Sequence, residues 1–171
     1  MAGRPTDTQN GPGFFDEPAE PARTTSGRLL IVEADGGSRG NPGPAAYGAV
    51  VRDPQTSKVL AAEGLTIGRA TNNVAEYRGL IAGLEMAREL DSGAALEVRM
   101  DSKLVIEQMA GRWKIKHPDM KPLALQAARL RPAVVTWTWI PREHNKAADT
   151  LVNRALDGDP VPRQYVVDRH S

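Results

Sequence analysis

Between Arg28 and Ile67 the chain carries three apolar, partly β-branched stretches, and the connections between them are too short to hold a crossover helix. Arg28–Asp35 runs through Leu29-Leu30-Ile31-Val32 and stops at Gly36-Gly37. Ser38–Pro44 holds two glycines and two prolines and reads as a tight loop. Ala45–Arg52 and Lys58–Ile67 follow, joined by the turn Asp53-Pro54-Gln55-Thr56-Ser57. Parallel neighbours need a connection of about a dozen residues or more, so connections this short favour an antiparallel arrangement of the three strands.

The rest of the chain alternates. Thr71–Leu90 predicts a helix, with Val74, Tyr77, Ile81 and Leu84 on one stripe, Asn72 or Asn73 as its cap and Asp91-Ser92-Gly93 as its stop. Ala95–Met100 reads as a strand ending at Asp101. Ser102–Gly111 predicts a helix with Leu104, Val105 and Met109 inward, then a basic loop from Trp113 to Pro118 and a helix over about 119–130. Val134–Ile140 is a strand whose period of two puts Val135, Trp137 and Trp139 on one face. Asn145–Leu156 is the last helix, with Ala148, Leu151, Val152 and Ala155 inward. The order β-β-β-α-β-α-α-β-α implies an α/β fold, a mixed sheet with helices on its faces.

The 171 residues suffice for about one domain, 28–158. Residues 1–27 hold four prolines, four glycines and little apolar surface, which predicts a disordered tail; 159–171 is expected to be a short, loosely held one. Phe14-Phe15, the only phenylalanines, are a candidate docking motif for a protein partner. Without cysteine there is no disulfide, zinc–thiolate site or cysteine nucleophile. No apolar run approaches the roughly 18–20 residues of a membrane span and no signal peptide is visible, so a cytoplasmic monomer is expected. Net charge is +1, but residues 102–131 set seven basic side chains against two acids, a local excess that suits a polyanion or a solvated helical face.

Four acids stand at the ends of elements. Asp35 and Asp101 close strands, where sites of α/β folds lie. Glu76 sits early in the long helix between Val74 and Tyr77, and Asp149 early in the last helix beside Ala148. Acids bordering an apolar face are unfavourable unless paired or bound to a cation. Spacing alone does not bring them together, and each taken singly is more simply read as a helix-dipole partner or a surface carboxylate. Meeting at one point, they would repel unless a hard divalent cation such as Mg²⁺ joined them.

Four segments carry a resemblance. Glu33-Ala34-Asp35-Gly36-Gly37-Ser38-Arg39-Gly40-Asn41-Pro42-Gly43-Pro44, Thr71-Asn72-Asn73-Val74-Ala75-Glu76, Asp101-Ser102 and Asn145-Lys146-Ala147-Ala148-Asp149-Thr150-Leu151 resemble, in order, the motifs of type I ribonuclease H over about 28–157. The resemblance implies a ribonuclease H-like fold with a five-stranded mixed sheet. It also implies an endonuclease that cuts the RNA strand of RNA/DNA hybrids, leaving 3′-hydroxyl and 5′-phosphate ends. Asp35, Glu76, Asp101 and Asp149 would hold two Mg²⁺ ions, Mn²⁺ being able to substitute.

Hybrid contacts are implied at Gly36, Gly37, Ser38, Asn41, Thr71, Asn72, Asn73 and Ser102. Gly36, Gly37, Gly40 and Gly43 would let backbone approach a sugar–phosphate chain. Trp113, Lys114, Lys116 and His117 resemble a shortened form of the basic handle of some members. Many members place a histidine about ten residues before the last acid, where it aids product release; here His144 stands five before Asp149 and is a weaker catalytic candidate. Glu33 shares a strand face with Asp35 and is either an outer acid of the site or half of a surface pair. Some relatives fuse a phosphatase after this domain, for which a chain ending at Ser171 is expected to leave no room. The alternatives are a nuclease that also cuts double-stranded RNA, another nuclease of the same fold, and a non-catalytic hybrid-binding module.

Overall fold

The computed structural model describes residues 26–166. Its elements are β1 (Leu29–Ser38), β2 (Gly43–Arg52), β3 (Val59–Ala70), α1 (Asn72–Leu90), β4 (Ala95–Met100), α2 (Lys103–Met109), α3 (Lys121–Leu130), β5 (Val135–Trp139), a 3₁₀ turn (Arg142–His144), α4 (Lys146–Leu156) and β6 (Val161–Tyr165). The sheet order is β5-β4-β1-β2-β3-β6. β1, β2 and β3 pair antiparallel, as their short connections require, whereas β4 runs parallel to β1 and to β5.

Two expectations change. The sheet has six strands rather than five, because residues 161–165 form β6 against β3 instead of a loose tail. β1 does not stop at Gly36-Gly37 but stays paired with β2 through Ser38 opposite Ala45. Glycine weakens a strand without ending it when a neighbour supplies the hydrogen bonds.

β1 is central, and Leu30 to Ala34 are all at most 7% exposed. Its even residues Leu30, Val32 and Ala34 join Tyr47, Ala49 and Val51 of β2 in the main core beneath α1. The alternate residues Ala46 and Val50 pack with Leu151, Val152 and Ala155 of α4 on the other face. α1 is buried over most of its girth because α3 covers its outer side with Ala124, Ala127 and Ala128. Tyr77, Ile81 and Leu84 are fully interior, and Val74, at the first turn, is half-buried.

Close packing needs glycine at several positions, and two of them bring helices onto the sheet beside the acids. A Cβ on Gly36 would lie 2.1 Å from the backbone carbon of Ala75, so β1 and α1 touch directly there. A Cβ on Gly48 would lie 2.3 Å from the carbonyl oxygen of Ala148, next to Asp149. These glycines let the chain approach itself, a reason separate from any approach to a ligand. Both contacts draw an acid-bearing helix turn onto the sheet.

Phe14, Phe15 and the expected tail up to residue 25 lie outside the described residues, whereas Ser26 is described and its N–H donates to Gly93 O at 2.7 Å.

Candidate active site

The parallel register Ala34↔Met100 makes Asp35 and Asp101 the next residues on neighbouring strands. Glu76 follows Ala75, the residue pressed on Gly36. Ligand atoms of Asp35, Glu76 and Asp101 lie within 4.8 Å of one another. Asp149 is outside that group but lines the same pocket, together with Gly36, Gly37, Ser38 and Asn72.

The electrostatics are those of acids that have no cationic partner among the described residues. Asp35 is 6% exposed, and its pKa is raised to about 7, first by burial, then by Asp101 and less by Asp149. Against this, the Gly36 N–H donates to Asp35 Oδ1 at 2.9 Å and lowers it. Glu76 is pushed well above its ordinary range by burial and by repulsion from Asp35 and Asp101. Its Oε1 is buried with no hydrogen-bond partner. Clustered, oxygen-only, partly dehydrated carboxylates with a free acceptor fit a hard divalent cation, which supplies the missing positive charge.

Asn145 is fully buried and caps this arrangement from the start of α4. Its Nδ2 donates to Ala34 O at 2.9 Å and to Asp101 Oδ1 at 3.3 Å, tying β1, β4 and α4 together. The loop residues form a second network. Asn72 Oδ1 accepts from Ser38 N at 2.8 Å, and Asn41 Oδ1 accepts from Asn72 N at 3.1 Å. Thr71 caps α1 through Val74 N (3.3 Å) and Ser102 caps α2 through Val105 N (3.2 Å). Asn73 is exposed.

Other candidates fall elsewhere. Glu33 is held by Arg52 through two hydrogen bonds of 3.0 and 3.1 Å, so it is a paired structural acid. His144 is exposed on the 3₁₀ turn and does not line the pocket; Arg142, two residues earlier, does. Trp113, Lys114, Lys116 and His117 are exposed beyond the far end of α2, outside the pocket. Trp139 also departs from expectation. Ending β5 at the edge of the sheet, it is 46% exposed and lines the pocket. Its indole N–H donates to Asp101 O at 3.2 Å and Lys103 Nζ lies 5.7 Å from its ring. Asn145, Arg142 and Trp139 were missed as site residues. Only for Asn145 was a signal available, a polar residue immediately before an amphipathic helix.

A mixed sheet with acids gathered at the ends of adjacent parallel strands is the arrangement of a ribonuclease H-like fold. The model of the reverse transcriptase-like family matches residues 33–155. A protein of Mycobacterium tuberculosis named as bifunctional is 58% identical over 130 residues, 75% of this chain and 35% of that protein. Ribonuclease HI of Halobacterium salinarum is 46% identical over 125 residues, 72% of this chain and 62% of that protein. The chain thus spans about a third of the mycobacterial relative and under two thirds of the archaeal one. Among solved structures, LC11 ribonuclease H1 in complex with an RNA/DNA hybrid aligns with a TM-score of 0.72 at 41% identity, covering 75% of this chain and 97% of that one. The chain belongs to the type I ribonuclease H family.

Proposed function

We propose that this chain is an endoribonuclease that hydrolyses the RNA strand of RNA/DNA hybrids, leaving 3′-hydroxyl and 5′-phosphate ends, with residues 28–165, β6 included, as the active unit. The observation that carries the reading is the trio Asp35, Glu76 and Asp101, within 4.8 Å and lacking an internal cation. The hybrid bound to a 41% identical relative supports the substrate class. Cytoplasmic action as a monomer is part of the proposal; among the described residues no helix is long and apolar enough to cross a membrane.

Asp35, Glu76, Asp101 and, from the pocket wall, Asp149 would hold two divalent ions, Mg²⁺ first. Such ions activate a water as nucleophile and stabilise the leaving 3′ oxygen. The chain's own groups prepare the site. Gly36 N–H fixes one oxygen of Asp35, and Asn145 fixes one of Asp101. Asp35 and Glu76 must release the protons that burial and crowding favour. Arg39 and Arg142 line the pocket and can meet phosphate oxygens. The Ser38–Asn72–Asn41 network holds the β1–β2 loop and the start of α1 as one rigid rim, where 2′-hydroxyls are read by position.

A cleavage assay with labelled hybrid, double-stranded RNA and double-stranded DNA, each with Mg²⁺, Mn²⁺ or chelator, tests this. Metal-dependent cutting of the RNA in the hybrid is expected. Equal cutting of double-stranded RNA identifies the broader nuclease, and hybrid binding without cutting identifies the non-catalytic module.

A further inference from the structure

Gln108 is a polar side chain in an apolar interior. It is 2% exposed in α2, among Val105, Ile106 and Met109. Both ends of its amide are bonded. Its Oε1 accepts from the Tyr77 hydroxyl at 2.7 Å, and its Nε2 donates to the carbonyl of Lys114 at 3.2 Å. Tyr77 is itself fully buried in α1, immediately after Glu76. A continuous chain of bonds therefore runs from the helix carrying Glu76, through the core, to the backbone of the basic loop.

The loop is built to stay in place. Gly111 turns the chain with a φ of +83°. Trp113 N donates back to Glu107 O at 3.2 Å, and Ile115 packs on the core. Held from beneath in this way, Trp113, Lys114, Lys116 and His117 all point outward. Among the described residues no acid pairs with Lys114 or Lys116. α2 starts next to Asp101 and is seven residues long, so the loop stands roughly 10 Å along from the carboxylates at 1.5 Å per residue. That is about three steps of a nucleic-acid strand at ~3.4 Å each.

We propose that Gln108 is a positioning residue for substrate binding: from inside the core it fixes the Trp113–His117 loop as a preformed second seat for the sugar–phosphate backbone, a few nucleotides from the carboxylates. This rests on the reading of the substrate as an RNA/DNA hybrid. A buried amide costs stability unless both ends are bonded, and an apolar residue of similar volume would suit a helix core equally well. What methionine cannot do is hold the Lys114 carbonyl. Ordering the loop before binding removes an entropic penalty that would otherwise appear in affinity.

The test compares wild type, Gln108→Met, Gln108→Glu and the double variant Lys114→Ala/Lys116→Ala, as full chains. Steady-state hybrid cleavage is measured against salt, and binding of a labelled hybrid is followed by anisotropy in chelator. Gln108→Met is expected to raise KM and weaken metal-free binding at least fivefold, with kcat within twofold of wild type. The slope of log affinity against log salt should fall by about one, since each lost phosphate contact contributes about 0.9. Added to the double lysine variant, Gln108→Met should change KM less than twofold. Gln108→Glu, read above the pH at which its carboxyl ionises, keeps an acceptor for Tyr77 but not the donor to Lys114, so it reads the same bond should the methionine variant fail to fold. An unchanged KM and salt slope in a folded variant, a fall in kcat alone, or full additivity with the lysine substitutions overturns the proposal. A wild type that neither binds nor cuts the hybrid sinks the functional reading instead.

Discussion

The molecule holds two clusters of acids, and they are solved in opposite ways. At the β3–β6 edge Glu63, 5% exposed, accepts from Arg163 through two bonds of 3.0 and 3.2 Å and from the Tyr47 hydroxyl at 2.8 Å. The same guanidinium reaches Glu85 at 2.8 Å and Glu89 at 4.0 Å, and the Tyr165 hydroxyl bonds to Glu89. At the ends of β1 and β4, Asp35, Glu76 and Asp101 are as crowded, but among the described residues no guanidinium bonds to them and Glu76 Oε1 has no partner. One cluster is a lock. The other gathers negative charge with no cationic side chain bonded to it among the described residues, and that difference sets the candidate active site apart.

The comparison can be broken by substitution. Asp35→Asn is expected to lower kcat for hybrid cleavage by at least a thousandfold, on the order of 4 kcal/mol of transition-state stabilisation. Without metal at pH 8 the same variant should melt several degrees higher than wild type, since a buried, repelled carboxylate is gone. A loss of both activity and stability would mean that the acid is structural. Arg163→Ala should do the reverse. Breaking the lock leaves Glu63 buried without its cation, a cost of about 3 kcal/mol, while kcat changes less than twofold. Thermal melting beside steady-state cleavage separates the two outcomes.

A pH series sharpens the contrast. Asp35 has its folded pKa raised from 3.8 to about 7, and Glu76 is raised as well. A raised folded pKa means that the folded state holds the proton more tightly. The associated stability is complete below about pH 4 and is lost as pH rises through 7. Metal-free melting temperature should therefore fall over that window, and saturating Mg²⁺ should flatten the fall. In Asp35→Asn the slope should be shallower, and in Arg163→Ala it should persist. The smallest effects belong to the pocket's rim. Arg142→Ala should lower kcat/KM about tenfold and His144→Ala less than threefold; the opposite ranking would return the rim role to the histidine.

Much of the candidate site is legible in the sequence. The four acids sit in distinctive local motifs, and α1 and α4 start within one residue of their expected positions because capping and apolar stripes are local properties. The lock was not legible. Glu63 and Arg163 are a hundred residues apart, and Val161-Pro162-Arg163-Gln164-Tyr165 has neither alternation nor β-branched density to mark a strand. β6 exists because β3 offers an unpaired edge and Arg163 meets Glu63, both long-range conditions. Trp139 misled for a related reason. Period two puts it on the face of Trp137, but a strand's last residue at a sheet edge has nothing above it to bury it. The glycines at the first loop were read for approach to a ligand, whereas Gly36 is dictated by Ala75.

The pairing of β1 with β4 also governs which changes in length the chain can survive. Asp35 and Asp101 stand abreast only because Ala34 faces Met100. One residue inserted or deleted upstream within either strand would turn an acid to the opposite side of the sheet. Lengthening the Asp53–Ser57 turn would leave that alignment untouched, so natural variation in chain length should collect in the turns and spare these two strands.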